Sequence, residues 1–195
     1  MKFACTFKWQ REALLSTFFL CVSSSVQASN GSSDTANQNW LGTAWSHVQD
    51  TWRDGEIEVY VPFWSYHLPF AYTPSQRAEY TEYPAGIGLG KGRMNKSGNW
   101  EGIYAMGFRD SHGDPSYMVG YGWIPMWNIG KSEVKVGAGL TGFLMSRRDY
   151  WNGVPFPGVL PVASVSYKKA SIQAAYVPGG QGNGNVIFMW GKFGF

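Results

Sequence analysis

From residue 56 to the C-terminus, short extended stretches alternate with turn signals, and this pattern constrains the fold more than any other feature. Apolar residues recur with a period of two, and Gly or Pro interrupts them at short intervals. The pattern predicts eight strands, at 56–63, 83–92, 99–109, 117–125, 133–144, 161–168, 171–178 and 184–195. Since no segment between them is long enough for a helical crossover, we predict an all-β, antiparallel sheet.

The lengths of the connections favour a membrane barrel over a soluble β-sandwich, which is the alternative fold. The first, third, fifth and seventh connections are long on average, whereas the others are tight turns. Long loops at one end and short turns at the other are typical of outer-membrane barrels. Aromatic residues also cluster near the predicted strand ends, and the last strand ends on Phe195, as outer-membrane strands commonly do. We therefore predict an eight-stranded antiparallel transmembrane β-barrel over residues 56–195.

The N-terminus has the three parts of an export signal. Residues 1–12 are basic, residues 13–22 are apolar, and Val26-Gln27-Ala28 fits a small-residue cleavage site. The apolar run is too short to span a bilayer as a helix. We predict a signal peptide over 1–28 and a mature outer-membrane domain over 29–195.

Both cysteines, Cys5 and Cys21, lie in this segment and would be removed with it. No disulfide or cysteine metal site is therefore expected in the mature chain. Cys21 could instead be a lipoprotein attachment site, but Leu20 stands where that signal requires a small residue. The remaining chain has 13 basic and 12 acidic residues. This balance gives no electrostatic reason to expect nucleic acid as a partner.

Residues 38–53 are predicted to form an amphipathic helix before the barrel. Trp40, Trp45 and Trp52 share one stripe at helical spacing, and polar residues occupy the other side. Such a helix packs either on a soluble core or at a membrane interface, and the spacing does not distinguish the two. His47 lies on the polar side and is predicted to be solvated.

Several predicted strands are apolar on both faces, which is unusual for a small barrel with a polar lumen. In 103–108, for example, both the odd and the even positions are apolar or aromatic. Part of the lumen is therefore expected to be apolar, either as a solidly packed interior or as a pocket for a hydrocarbon chain.

Glycines and prolines have regular positions in these strands. Gly86, Gly88, Gly90 and Gly92 alternate and so leave space on one face of their strand. Prolines fall at or near strand ends and cannot donate to the ladder. They either terminate strands or leave lateral gaps in the barrel wall; these are Pro62, Pro84, Pro161 and Pro178.

Candidate catalytic residues are sparse and converge on one end of the predicted barrel. His67 lies in the first connection, and Asp110 and Ser111 lie in the third. In an up-and-down sheet these two connections are at the same end. A histidine, an acidic residue and a hydroxyl can act as general base, orienting group and nucleophile in acyl transfer. The His, Asp and Glu residues show no convincing spacing for a metal site.

Several separated motifs, in order, resemble the PagP family of lipid A palmitoyltransferases over nearly the whole mature chain. They are DTWRDGEIEVYVPFWSYHLPFAY, SGNWEGIYAMGFRDS, MVGYGW, RRDYWNGVPFPGVLPVASVSY, YVPGG and NGNVIFMWGKF. The resemblance implies an eight-stranded outer-membrane barrel with a periplasmic amphipathic helix and an active site that faces the cell surface. It also implies transfer of a palmitoyl chain from a glycerophospholipid to a hydroxyl of lipid A.

The family's His, Asp and Ser fall on His67, Asp110 and Ser111. The glycine at the floor of its acyl-measuring pocket falls on Gly122, which implies a long saturated chain. Its proline pairs at two lipid gateways match Pro62 with Pro84, and Pro161 with Pro178. The chain departs from the family at His112-Gly113-Asp114 and in its extended mature N-terminus.

We expect His67 to act as general base and Asp110 to orient it or to stabilise its charged form. Ser111 is expected to be a nucleophile or an oxyanion donor. No metal or soluble cofactor is implied, and the chain is expected to be a monomer or homodimer. The alternatives are an outer-membrane lipid hydrolase, with water as acceptor, and a non-enzymatic barrel that acts through its loops.

Overall fold

The computed structural model describes residues 33–148 and 150–195, so the predicted signal peptide lies outside the described residues. The chain divides into two compact units, Met1–Leu41 and Gly42–Phe195, and the second is described below. Two helices, α1 (Ser33–Asp54) and α2 (Pro74–Glu79), and a short 3-10 helix (Trp151–Gly153) accompany eight strands. The strands are β1 (Glu56–His67), β2 (Gly86–Met94), β3 (Asn99–Arg109), β4 (Pro115–Asn128), β5 (Val134–Arg147), β6 (Phe156–Tyr167), β7 (Ala170–Val177) and β8 (Val186–Gly194).

The strands form a closed barrel in which every neighbouring pair is antiparallel. β1 pairs with β8, from Glu58 opposite Gly194 to His67 opposite Val186, and this pairing closes the sheet. The predicted all-β, eight-stranded antiparallel barrel is therefore confirmed. The turns 95–98, 129–133 and 168–169 lie at one end, called the short-turn end. The connections 68–85, 110–114, 148–155 and 178–185 form the opposite, long-loop end.

Four strands, β1, β4, β5 and β6, are longer than predicted, and β1 and β6 extend toward the long-loop end. β1 continues four residues beyond 63 to His67, and β6 begins at Phe156, ahead of Pro157 and Pro161. β6 pairs with β5 along this stretch but pairs with β7 only from Val162 onward. A strand that lacks one neighbour tolerates proline, because no ladder bond on that side is lost.

Side chains alternate between the inside and the outside of the barrel. The buried inward cluster is mainly aromatic and sulfur-containing, and comprises Tyr60, Trp100, Tyr104, Met106, Phe108, Met118, Ile124, Val162, Ala175 and Trp190. Outward positions carry exposed aliphatic residues, among them Ile87, Leu89, Val119, Leu140, Leu144, Val159, Val165 and Ile172. An apolar outer band of this kind is consistent with an outer-membrane protein. Among the described residues, no helix has the length and hydropathy needed to cross a membrane.

The part of α1 from Gly42 to Asp54 packs on the outside of the barrel through its polar side, at the short-turn end. Glu101 points outward from β3 yet is completely buried. Its Oε2 atom accepts a hydrogen bond from Arg93 (Nη2, 2.9 Å). Its Oε1 atom accepts one from Asn95 (Nδ2, 2.6 Å) and lies 2.8 Å from His47 Nδ1. Thr51 of the helix is also fully buried here. His47 is thus a partner of Glu101, and its prediction as a merely solvated residue is wrong.

Two tryptophans of α1, at positions 45 and 52, face away from this contact. Trp45 and Trp52 are 61% and 64% exposed, so they do not pack on a core. Lys91 donates to the carbonyl oxygen of Trp52 (2.7 Å) and thereby satisfies one carbonyl of the last turn. The exposure of Trp45 and Trp52 is consistent with the interfacial role, one of the two that the spacing left open.

We predict that His47→Ala lowers the free energy of unfolding by about 1–2 kcal/mol, because the buried Glu101 carboxylate loses one hydrogen-bond partner. The measurement is urea unfolding of the barrel refolded in lipid vesicles. Ser46→Ala is the matched control, since Ser46 is exposed and bonds only locally, to the Thr43 carbonyl. Equal midpoints for His47→Ala and the wild type would contradict the role given to His47.

Candidate active site at the long-loop end

His67 and Ser111, predicted to meet, are in contact. His67 ends β1, and Ser111 lies in the connection between β3 and β4. The Nε2 atom of His67 is 3.1 Å from the Ser111 hydroxyl oxygen, although 44 positions separate the two residues. His67 is only 3% exposed. The expectation from strand order, that His67 and Ser111 lie at the same end of the barrel, therefore agrees with the structure.

Two tyrosines fix the plane of the imidazole. The Tyr80 ring stacks on His67 with 4.8 Å between centroids and 16° between planes. The Tyr72 ring meets His67 edge-on, at 5.0 Å and 90°. Such contacts fix the plane of the imidazole, and within this plane Nε2 lies toward Ser111. The rings of Tyr80 and His112 are in turn nearly perpendicular, at 87°, with 5.2 Å between their centroids.

Helix α2 positions Tyr80, which follows its last residue. Thr73 caps the helix in a reciprocal capping box: its hydroxyl accepts from the Gln76 N–H, and the Gln76 side chain accepts from the Thr73 N–H. Pro74 occupies the first turn, where its missing N–H is harmless. Burial raises the pKa of Tyr72, so its phenol stays protonated and donates to the Gly184 carbonyl (2.5 Å). The loop is thereby attached to the connection before β8.

Asp110 shapes the turn that presents Ser111. Its Oδ1 atom accepts from the backbone N–H groups of His112 and Asp114, both at 2.9 Å. Gly113 takes a positive φ of 86° and closes the turn by donating to the Asp110 carbonyl (3.0 Å). The carbonyl of Ser111 accepts from the Thr81 N–H (2.9 Å), which connects this turn to the His67 loop.

Asp110 bonds to this turn and to an arginine, and none of its described hydrogen bonds goes to His67. Arg147, at the end of β5, donates from Nη2 to Asp110 Oδ2 (3.3 Å). Within the described part of the chain, His67 Nδ1 is buried and has no hydrogen-bond partner. The structure therefore shows Asp110 positioning Ser111, which is a different contact from the orientation of His67 that the sequence led us to expect.

Below this site the lumen is lined by the upper-lumen residues, defined as Tyr104, Met106, Phe108, Met118 and Phe188, all turned inward. Gly122 lies deeper, buried, opposite Gly102 of β3 and Thr141 of β5. A Cβ atom at Gly122 would lie 2.8 Å from Cζ3 of Trp100, closer than carbon atoms normally approach. The indole of Trp100 therefore occupies the space in front of Gly122.

The two proline pairs coincide with interruptions of the ladder. β1 pairs with β2 only from Glu56 to Tyr60, so the stretch from Pro62 to His67 has no partner in β2, which begins after Pro84. β6 pairs with β7 only from Val162, just past Pro161, and β7 ends before Pro178. Among the described strands, both of these interruptions lie toward the long-loop end, which also carries His67 and Ser111.

Sequence reasoning missed Arg147, Tyr72 and Tyr80. The predicted fifth strand stopped at 144, so Arg147 was not placed at the rim. For the tyrosines a signal existed, since Thr73-Pro74-Ser75-Gln76 is a capping-box sequence that predicts a helix start. Recognising it would have set Tyr80 at the end of a helix inside the first connection.

The arrangement can move a proton between a hydroxyl and an imidazole at the mouth of an apolar lumen. A neutral imidazole accepts a proton from an alcohol as the alcohol attacks a carbonyl. Among the described residues, no group of three or more His, Cys, Asp or Glu side chains is placed to hold a metal ion. The geometry thus supports acid–base chemistry on an ester.

The sequence matches one known protein family and several of its members. Residues 47–192 match the model of the family described as antimicrobial peptide resistance and lipid A acylation protein PagP. A lipid A acyltransferase PagP of Methylobacillus flagellatus is 43% identical over 158 residues, covering 80% of this chain and 85% of the relative. Its counterpart in Bordetella bronchiseptica is 38% identical over 181 residues, 93% of this chain and 96% of the relative.

A third relative, the lipid A acyltransferase PagP of Salmonella typhi, is 39% identical over 162 residues, 82% of this chain and 85% of the relative. The matched segment runs from the helix residue His47 to Lys192 on the last strand, and it includes His67, Asp110 and Ser111. The chain belongs to the PagP family of lipid A acylation proteins, and it is an acyltransferase.

Proposed function

We propose that the chain transfers a palmitoyl chain from a glycerophospholipid to a hydroxyl of lipid A, with its active site facing the cell surface. The contact between His67 and Ser111 at the mouth of the lumen carries this proposal. The family accounts for lipid A acylation, and the chemistry of the pair accounts for acyl transfer.

In the proposed reaction, His67 Nε2 takes the proton from the attacking hydroxyl. The oxygen then forms a bond to the ester carbonyl carbon, and the carbonyl oxygen becomes an oxyanion. Collapse of this intermediate breaks the bond to the glycerol oxygen, which receives the proton back from His67. The products are an acylated acceptor and a lysophospholipid, so no water or cofactor is consumed.

Ser111 serves this reaction in one of two ways that the same geometry supports. As a nucleophile it carries the acyl group until the acceptor hydroxyl takes it over. As a hydrogen-bond donor it stabilises the oxyanion. Intact-protein mass spectrometry after incubation with phospholipid alone separates them, because only the nucleophilic route adds one acyl chain to the protein.

The upper lumen suits a saturated chain. Its residues are apolar, and Met106 and Met118 have flexible thioether side chains that can yield room for a chain. The interruptions beside Pro62 and Pro161 supply the entry routes, since there a lipid tail can pass between strands without breaking ladder bonds. The donor's tail thus reaches the lumen while its ester stays near His67.

We predict that His67→Ala and Ser111→Ala each lower the transfer rate by about 10²–10⁴-fold, because each removes one partner of the proton-transfer pair. The measurement is mass spectrometry of lipid A from cells that produce each folded variant. Ser132→Ala, in a turn at the opposite end of the barrel, is the control and keeps wild-type activity.

Release of free fatty acid without a mass gain on lipid A would replace this proposal with a hydrolase. The absence of both products, from a folded wild-type barrel supplied with donor, would support a non-enzymatic role. A fully active His67→Ala variant would remove His67 from the mechanism.

We predict that Gly122→Met shifts the transferred chain to a length shorter by several carbons, because the added side chain and the displaced Trp100 fill the bottom of the lumen. The measurement is the chain-length distribution on lipid A when donors of several lengths compete. Gly142→Met is the control, since a Cβ atom there meets open space within 4 Å. An unchanged distribution for Gly122→Met would show that Gly122 does not limit chain length.

A further inference from the structure

We infer that Glu58 and Lys192 form a buried ion pair whose role is to hold Trp100 in place, and that this pair thereby sets the chain length the enzyme selects. The inference rests on the proposed acyl transfer and deepens it. Glu58 and Lys192 are positioning residues here, since they act through the indole and do not touch the reacting atoms.

Glu58 connects three strands through one carboxylate. It points inward from β1 and is 5% exposed. Its Oε2 atom accepts from the Tyr60 hydroxyl (2.7 Å), and its Oε1 atom accepts from the indole N–H of Trp100 (3.1 Å). Lys192 Nζ, from β8, donates to the same Oε1 atom. The edge of the Trp100 ring is therefore fixed by a charged acceptor.

Lys192 also holds the face of the same ring. It is 8% exposed, and its Nζ lies 4.8 Å from the centroid of Trp100, at cation–π distance. The indole is thus held at its N–H by the anion and at its face by the cation. A rotation of Trp100 would break both contacts at once and leave two buried charges less well solvated.

Glycines provide the space for this unit. Gly92, Gly102 and Gly122 stand opposite one another on β2, β3 and β4, so they form one row across the barrel wall. The Glu58 carboxylate lies against Gly92, and the Trp100 ring lies against Gly102 and Gly122. We call this row the glycine shelf. Because these glycines have no side chains, the indole of Trp100 can lie directly against the barrel wall at Gly122.

The unit also marks a change of polarity along the lumen. Toward the short-turn end, the buried inward residues of β6, β7 and β8 include the polar Ser164, Ser171, Gln173 and Lys192, beside the aromatic Trp190. Toward the long-loop end the upper-lumen residues are apolar or aromatic. A hydrocarbon chain that enters from the long-loop end gains apolar contact until it meets Trp100, and further methylene groups would lie beside polar side chains on the β6, β7 and β8 side of the wall.

Stability alone gives little reason for this pair. Two buried charges lose their hydration, and apolar residues of similar volume in their place are commonly as stable or more so. What the pair adds is a single orientation for Trp100, which apolar packing would not specify. This difference allows the two roles to be separated by experiment.

The decisive variant is Glu58→Leu/Lys192→Met, which removes both charges together and leaves no unpaired ion. We expect this double variant to fold. Its preference for hexadecanoyl over octadecanoyl donors should fall about tenfold, which is the size of discrimination that apolar pockets achieve for one or two methylene groups. The measurement is the ratio of the two chains on lipid A when both donors compete. Lys192→Arg keeps both the ion pair and the cation–π contact, so it should retain the wild-type ratio.

The control is Glu133→Leu/Lys168→Met, which removes an exposed ion pair of the same two residue types from the short-turn end. It should leave the ratio unchanged. If Glu58→Leu/Lys192→Met slows transfer of both chains equally, with the wild-type ratio, the pair is only structural and the inference fails.

Failure of the proposed function would look different, because the wild type would then acylate no lipid A with either donor. Native mass spectrometry of the barrel with saturated fatty acids of increasing length tests the inference in that case. The double variant should bind longer acids than the wild type does. Identical binding profiles for the two proteins would overturn the inference even without transfer activity.

Discussion

Closure of the sheet is the constraint on which the rest of this molecule depends. A backbone N–H or C=O group that faces hydrocarbon without a partner costs several kcal/mol, so a sheet in lipid cannot have a free edge. The eight strands meet this requirement by pairing β1 with β8. The interruptions occur beside Pro62 and Pro161, toward the long-loop end, where His67 and Ser111 lie. Both of these interruptions thus lie at the end of the barrel that carries the candidate site.

The two ends of the barrel differ in what holds them. At the short-turn end, Glu101 outside and Glu58 inside are each neutralised by a cation, Arg93 and Lys192. At the long-loop end, aromatic stacking on His67 and hydrogen bonds between loops accompany the partly exposed ion pair of Arg147 with Asp110. Ring contacts therefore contribute more to the long-loop end, and buried charges contribute more to the short-turn end.

Much of this architecture could be predicted because its causes are local in the sequence. Period-two hydropathy and turn residues indicated all eight strands, and parity alone brought His67 and Ser111 to the same end. The orientation of α1 could not be predicted, since its tryptophan stripe fits a core and a membrane interface equally well. The resemblance supplied Gly122, but two partners of Glu58, Trp100 and Lys192, lie on other strands, and pairing of charges across a barrel leaves no periodic signal in one sequence.

The glycine shelf also limits how this enzyme can change over evolutionary time. At Gly92, Gly102 and Gly122, a Cβ atom would collide with the Glu58 carboxylate or the Trp100 ring. A substitution at one of these positions therefore displaces a group that the other positions and the ion pair also hold, so its effect depends on them. A change of chain-length preference in this lineage should consequently require several replacements together, in the glycine shelf and in the residues that contact it. Such a change would alter the preferred length by several carbons at once.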